Sequence, residues 1–370
     1  MYVIDYLKQH GPDGPELLEK EYHIDIKYYP DRISLNYNQI ETPKYHPIAK
    51  ECRGLILALP DYKVLCRSFD RFYNYLEDQD HEKFDISKAQ CFKKIDGSLI
   101  NVYFDGIAWQ AATRKMAFAE GPTRLSHTYR ELFETTLGWP VNESFKRLGF
   151  ERGWTYTFEL VSPETRVVTP YSEPMIYMLN MRHTESGVDA PHSVLVGNAQ
   201  KLGVPIPKIF TFSTLDSIDT AIKELPALDE GYVCYIPEKQ WRIKIKNPSY
   251  LAVAHLRGND GILSTKRLAL LVCKQDQDEY LDYFPEDRIY FQPYTDAFSY
   301  MRGYVDALWH CTKSIEDRKT FALAVRGPAQ HLMFAIKDGK KLPEIIEKMA
   351  DTAKERMLTG FLKMVHPSVK

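Results

Sequence analysis

Along the first two thirds of the chain, apolar residues come in short runs, alternating or continuous, separated by turn residues. GLILAL (54–59), SLINVYF (98–104), TYTFELV (155–161), MIYMLNM (175–181), GYVCYI (231–236) and WRIKIK (241–246) have the length and the β-branched or aromatic character of strands. PTRLSHTYRELFETTLG (122–138) and SIDTAIKEL (217–225) predict helices, as does each side of Gly11-Pro12-Asp13-Gly14 within residues 1–21. The period changes near residue 247. Asn247-Pro248 offers an N-cap followed by a proline at the first helical position. Beyond it, 296–315 and 342–365 place apolar residues at i, i+3/i+4 and i+7. The expected fold is α+β: antiparallel sheets with flanking helices over 1–247, then an all-α domain over 248–370.

A length of 370 residues suits about two domains. Lys and Arg number 48 against 50 Asp and Glu, a formal net charge of -2. A protein that coats nucleic acid through its overall charge is therefore excluded, and any such contact needs a local basic cleft. Aromatic residues reach 13%, which serves core packing first and base stacking second. Six cysteines show no C-x-x-C spacing and no completing His pair, which argues against structural zinc and fits buried thiols in a reducing compartment. The N-terminus has no basic stretch leading into an apolar run, and no run of about 18 apolar residues occurs. The expectation is a soluble cytoplasmic protein without a membrane or an obligate protein partner. A phosphate loop of the G-x-x-x-x-G-K-[ST] type is absent.

The stretch FKKIDGS (92–98) has two readings. One is a hairpin with a charged tip, since Asp-Gly is a strong turn signal. The other is a K-x-D-G-S signature with Lys94 as a covalent nucleophile, a match that chance supplies in about one such chain in a few hundred. A lysine that attacks a nucleotide α-phosphate needs nearby positive charge or a metal to lose its proton, cations for the phosphates and carboxylates for metal and ribose. Lys93 beside Lys94 is expected to depress the nucleophile's pKa, with Lys244 and a metal adding to it. The strand period aims Arg242, Lys244 and Lys246 to one face and Trp241, Ile243 and Ile245 to the other. Glu159 interrupts an aromatic strand face, Glu230-Gly231 opens an apolar strand, and Arg53-Gly54 precedes another. Each alone also reads as a solvated strand face, a turn or a salt bridge. Five such features in one order are poorly explained by coincidence.

That ordered set resembles the covalent nucleotidyltransferases. CRG (52–54), KKIDGSL (93–99), FELVSPETRVV (158–168), EGYV (230–233) and KIKNPSYL (244–251) most resemble the phage T4 RNA ligase 1 family. The resemblance implies a nucleotidyltransferase domain over 1–247 and a helical domain concerned with RNA choice after it. It implies that Lys94 accepts AMP from ATP and passes it to an RNA 5′-phosphate, which an RNA 3′-hydroxyl then attacks. Lys94, Lys244 and Lys246 would be catalytic. Tyr37, Arg53, Arg71, Tyr73, Arg114, Glu159, Glu230, Lys244, Lys246 and Tyr250 would surround the nucleotide. Glu159 and, through water, Glu230 would hold Mg2+ or Mn2+, with Asp96 a further candidate ligand. The partners implied are RNA ends, those of a nicked tRNA among them.

Two departures stand out. Arg71-Phe72-Tyr73-Asn74 replaces the family's Lys-Phe-Phe-Asn, and Arg114 stands where a lysine is expected. A planar guanidinium grips phosphate differently from an ammonium. The rival readings are a DNA ligase or capping guanylyltransferase, which usually carry a C-terminal OB-type barrel, and a non-catalytic module that binds nucleic-acid ends.

Overall fold

The computed structural model describes residues 1–125, 127–257 and 263–367. The chain separates into two units, Met1–Ala252 and Val253–Lys370.

In the first unit, strands too short to stand alone are collected into three sheets. β1 (Ile24–Tyr28), β2 (Arg32–Tyr37), β3 (Arg53–Ala58) and β4 (Val64–Cys66) form an antiparallel meander. Helices Tyr2–His10 and Gly14–Tyr22 cover it through Val3, Leu7 and Leu18, which pack on Ile33, Leu35, Leu55 and Leu57. The five-stranded sheet contains β5 (Tyr73–Asn74), β6 (Gln90–Lys93), β11 (Ile209–Phe210), β12 (Gly231–Ile236) and β13 (Trp241–Lys246), in the order β11-β6-β12-β13-β5. Only the β13–β5 pair is parallel. The remaining sheet has the order β10-β9-β7-β8, from β7 (Ser98–Phe104), β8 (Trp109–Thr113), β9 (Trp154–Val161) and β10 (Met175–His183).

Alternation along β9 sends Tyr156, Phe158 and Leu160 into a core with Ile100, Phe133 and Phe145, leaving Thr157 and Glu159 on the other face. Along β13 the same rule puts Ile243 and Ile245 against the Ile218 and Ile222 helix side, with the basic residues opposite.

Several expectations change. Lys94-Ile95-Asp96-Gly97 does not turn a hairpin: β6 and β7 lie in different sheets, and these residues carry the chain from one to the other. Within 122–138 only Tyr129–Leu137 is helical, because Thr128 and Glu131 form a capping box that sets its start; Ser126 lies outside the described residues. The 342–365 pattern is two helices, Leu342–Lys348 and Asp351–Val365, and no glycine or proline marks the break at Met349-Ala350. The helix read over 296–315 begins earlier and runs Arg288–Thr312 through Pro293.

The described elements lying wholly within Val253–Lys370 are all helical, packed around Phe291, Met301, Val305, Leu358 and Phe361. Inside it, Arg257 pairs with Asp287 at 3.2 Å, and Asp287 also accepts from the Tyr280 hydroxyl at 2.6 Å. Among the described residues no helix is long and apolar enough to cross a membrane.

Candidate active site

The β6–β12 ladder decides where Lys94 sits. Its backbone N–H donates to the Gly231 carbonyl at 2.8 Å, one step beyond the Lys93–Tyr232 pair. Glu230 precedes that glycine, and its carboxylate bridges two ammonium groups: Lys94 Nζ at 2.6 Å and Lys246 Nζ at 2.8 Å. Gly231 has φ +127°, and a β-carbon there would lie 2.2 Å from the Ile245 carbonyl oxygen. Only glycine allows β13 this close, so the Glu-Gly pair sets the bridge.

Burial works against both charges. It raises the Glu230 carboxyl, but Lys94 and then Lys246 outweigh it and the net direction is down. It lowers the Lys94 ammonium, but Glu230 and then Glu159 outweigh it and the net direction is up. This corrects the expectation that Lys93 depresses Lys94. The Lys93 ammonium instead pairs with Asp229 at 2.8 Å. Lys244 is a cation beside cations. Burial first, then Lys94, Lys246 and Arg53, bring it down to about 7. It makes no ion pair among the described residues and lies 5.2 Å from the Phe72 ring centre.

Glu159 faces Leu99 across the sheet and is buried. Burial pushes its carboxyl up to about 8, with Lys94 opposing and Glu230 and Asp96 adding to the rise. Among the described residues it has no hydrogen-bond partner. A buried carboxyl without a donor invites a cation or a hydroxyl. The pH consequence has a definite sign. Between the ordinary carboxyl range near ~4.3 and the folded value of about 8, only the unfolded chain has released this proton. Stability from Glu159 is therefore full at acid pH and lost as pH rises to about 8, by at most ~1.4 kcal/mol per unit. Glu159→Gln should out-melt the natural protein by a margin that widens from about pH 5 to 8 and then levels off. Melting curves across that range check this, and a margin independent of pH would refute it.

Asp96 does a different job from the one expected. It is 5% exposed, and its carboxylate accepts from the backbone N–H of Val168 (2.8 Å) and Thr169 (2.7 Å) and from the Tyr250 hydroxyl (2.8 Å). This geometry does not support it as a metal ligand, and it places Tyr250 on Asp96. Asp96 clasps the turn that carries Lys94. Gly97 completes the turn by close approach: a β-carbon would sit 2.5 Å from the Leu160 carbonyl oxygen and 3.1 Å from Glu159 Cγ. Gly97→Ala should push β9 away, lower Tm by about 5 °C or more and slow the chemistry, measured by calorimetry and single-turnover assays. An unchanged Tm would contradict that packing.

A second group lines the approach. Tyr37 lies under Arg71 (4.1 Å to the ring centre) and near Arg114 (5.7 Å). Arg53 is half-buried, 5.7 Å from the ring centres of both Phe69 and Phe72. Nη1 of Arg53 and Nη1 of Arg71 are buried without an acceptor among the described residues. Tyr73 is more remote: its hydroxyl donates to the Lys44 carbonyl, and its strand props β13. Arg53, Lys94 and Glu159 open onto a cavity of about 540 Å³ whose far walls include Phe92, Leu179, His192 and Val233.

Sequence reasoning missed one wall of that cavity. Arg242 shares its strand face with Lys244 and Lys246, yet its guanidinium pairs with Asp189 at 2.7 Å and stacks 3.8 Å from the Tyr235 ring centre. Asp189 also accepts from Asn180 at 2.7 Å. Asp189 sits in a loop stretch, GVDAPH, with no period to flag it.

A family profile described as RNA ligase, of the T4 RNA ligase 1 type, matches residues 51–250. A protein of Autographa californica nuclear polyhedrosis virus, whose name proposes a bifunctional polynucleotide kinase/RNA ligase, is 34% identical over 300 residues, which is 77% of this chain and 42% of that protein. The chain thus spans less than half of that relative's length. An RNA ligase of Rhodothermus phage RM378 is 25% identical over 350 residues, 76% of this chain and 77% of the phage protein. Among solved structures, an archaeal ATP-dependent RNA ligase in its form 2 aligns over 90% of both chains, with 12% identity and a TM-score of 0.49.

Proposed function

Because the chain belongs to the RNA ligase family of the T4 RNA ligase 1 type, we propose that it joins RNA 5′-phosphate and 3′-hydroxyl ends with ATP, through a lysyl-AMP and an RNA-adenylate. The observation that carries this reading is a set of half-buried cations without anions among the described residues. Among the described residues, Arg53 and Arg71 each hold a buried Nη1 with no acceptor, and Lys244 has no ion pair. Their missing partner is a polyanion, and it must reach Lys94 on its carboxylate.

In this reading the neutral Lys94 amine attacks the α-phosphorus of ATP. The Nζ–P bond forms, the bond from the α-phosphorus to the bridging oxygen breaks, pyrophosphate leaves, and the amine's proton passes to solvent. Glu230 holds Lys94 in place, and releasing Lys94 leaves that carboxylate to Lys246. Lys244 and Lys246 neutralise charge around the α-phosphate, and Arg53, Arg71 and Arg114 take the outer oxygens. An RNA 5′-phosphate oxygen then attacks the same phosphorus and frees Lys94. An RNA 3′-hydroxyl attacks the 5′-phosphorus, and AMP departs. Glu159 fits a divalent ion or the ribose hydroxyls, since its buried carboxyl lacks a protein donor. A bound Mg2+ or Mn2+, held by Glu159 and through water by Glu230, would neutralise phosphate charge and lower the Lys94 pKa.

The helical unit, whose described elements are without a strand, favours this reading over the barrel-bearing rivals. Nicked tRNA is the RNA we propose, and the cytoplasm is the proposed place of action. The test is incubation with ATP labelled at the α-phosphate and Mg2+, followed by 5′-phosphorylated single-stranded RNA, nicked tRNA, nicked duplex DNA or GTP in parallel. Labelled protein and joined RNA are expected. Absence of both would leave only a binding module, and preference for nicked DNA or GTP would favour a rival.

A further inference from the structure

The helical unit contains a groove of about 890 Å³, lined in part by Phe298, Arg302, Trp309, Lys340, Lys341 and Lys354. Lys354 is 4% exposed, and among the described residues its ammonium donates only to the Glu347 carbonyl at 3.1 Å. A buried ammonium facing one neutral acceptor is poorly balanced unless an anion joins it. At the rim, Arg302, Lys340 and Lys341 are exposed and make no ion pair among the described residues. Asp306 and Glu347 also line the groove, but cations outnumber them. Phe298 and Trp309 are half-buried, so part of each ring faces the opening. Paired anionic groups and flat aromatic surface are the two things this lining asks of a ligand, and a nucleotide carries both.

We infer that the groove binds an unpaired nucleotide of an RNA strand, its base stacked on Trp309 and its flanking phosphates held by Arg302, Lys340, Lys341 and Lys354. The choice of RNA as the polymer rests on the activity proposed above. The groove is lined by none of the residues assigned to nucleotide transfer, so the two can fail separately.

The test uses the full chain and a fluorescein-labelled single-stranded uridine decanucleotide, with anisotropy read at about 50 and 200 mM salt. Trp309→Ala should weaken binding about 10-fold, and Trp309→Phe should restore most of it. Lys340→Ala with Lys341→Ala should weaken binding and flatten the salt slope by about 1.4, the release expected for two phosphates on a single strand. These surface lysines can be removed without opening the core, so the test survives if Trp309→Ala folds poorly. AMP labelling of Lys94 should be unchanged in every variant. Natural affinity in both the Trp309→Ala and the double-lysine variants would overturn the inference, as would displacement by polyglutamate in preference to RNA. AMP labelling with unaltered groove variants would sink the groove alone. Groove-dependent RNA binding without AMP labelling would sink the transfer reading alone.

Discussion

Lys94→Ala, incubated with α-labelled ATP and Mg2+, is expected to carry no adenylate. The fall should be at least about 10⁴-fold, the scale on which enzymes lose activity when their nucleophile is deleted. The ground for this is positional. Lys94 is the lysine that follows β6, with its backbone held by Gly231 and its ammonium held by Glu230. Lys93, its neighbour in sequence, is turned to Asp229. Lys93→Ala should therefore keep labelling within about tenfold of the natural protein, the residual loss coming from a freed Asp229 carboxylate. Mass spectrometry of the labelled peptide decides between them. An adduct in Lys94→Ala, or its loss in Lys93→Ala alone, would move the nucleophile and dissolve the mechanism.

The second large effect belongs to Glu230→Gln. Its carboxylate offsets two ammonium charges at once, so the amide leaves Lys94 facing Lys244 and Lys246 with burial as the dominant influence. Single-turnover adenylylation should fall about 10²–10³-fold near neutral pH, because the nucleophile loses its tether. The pH profile carries the more telling sign. In the natural protein Glu230 holds Lys94 above its ordinary range, so the acid limb of kcat/KM sits high. Without that carboxylate the Lys94 pKa should drop, and the acid limb should shift to lower pH even as the maximum rate declines. An acid limb that stays still, or rises, would mean Glu230 does not control the Lys94 proton.

Much of this arrangement was legible because strand geometry is periodic. Alternation on β9 and β13 puts Glu159 and the Lys244/Lys246 pair on the faces opposite the packed cores. What resisted reading depends on contacts across long separations. Asp96-Gly97 has the local chemistry of a hairpin turn, and only the pairing of β6 and β7 with different partners makes it a crossover. Its carboxylate meets Val168, Thr169 and Tyr250, none of which a local window contains. Lys93 beside Lys94 suggested mutual repulsion, yet consecutive residues diverge, and Asp229 takes the first. Alternation placed Arg242 on the face of Lys244 and Lys246, but its partner Asp189 lies 53 residues away in sequence. The break at Met349-Ala350 falls inside an unbroken apolar stripe, which reports a buried face and is silent on where helices end.

The hydroxyl of Tyr250 has a practical bearing on how this molecule can be divided. It belongs to the helix Pro248–Arg257, past the last strand, where a sequence-based cut between 247 and 248 would discard it. A fragment ending there would strip one of three donors from the clasp beneath Lys94 and leave a carboxylate seeking a proton or water. Any minimal transferase trimmed from this chain must carry that first helical turn along, because the nucleophile's turn is anchored by a residue that sequence order assigns to its neighbour.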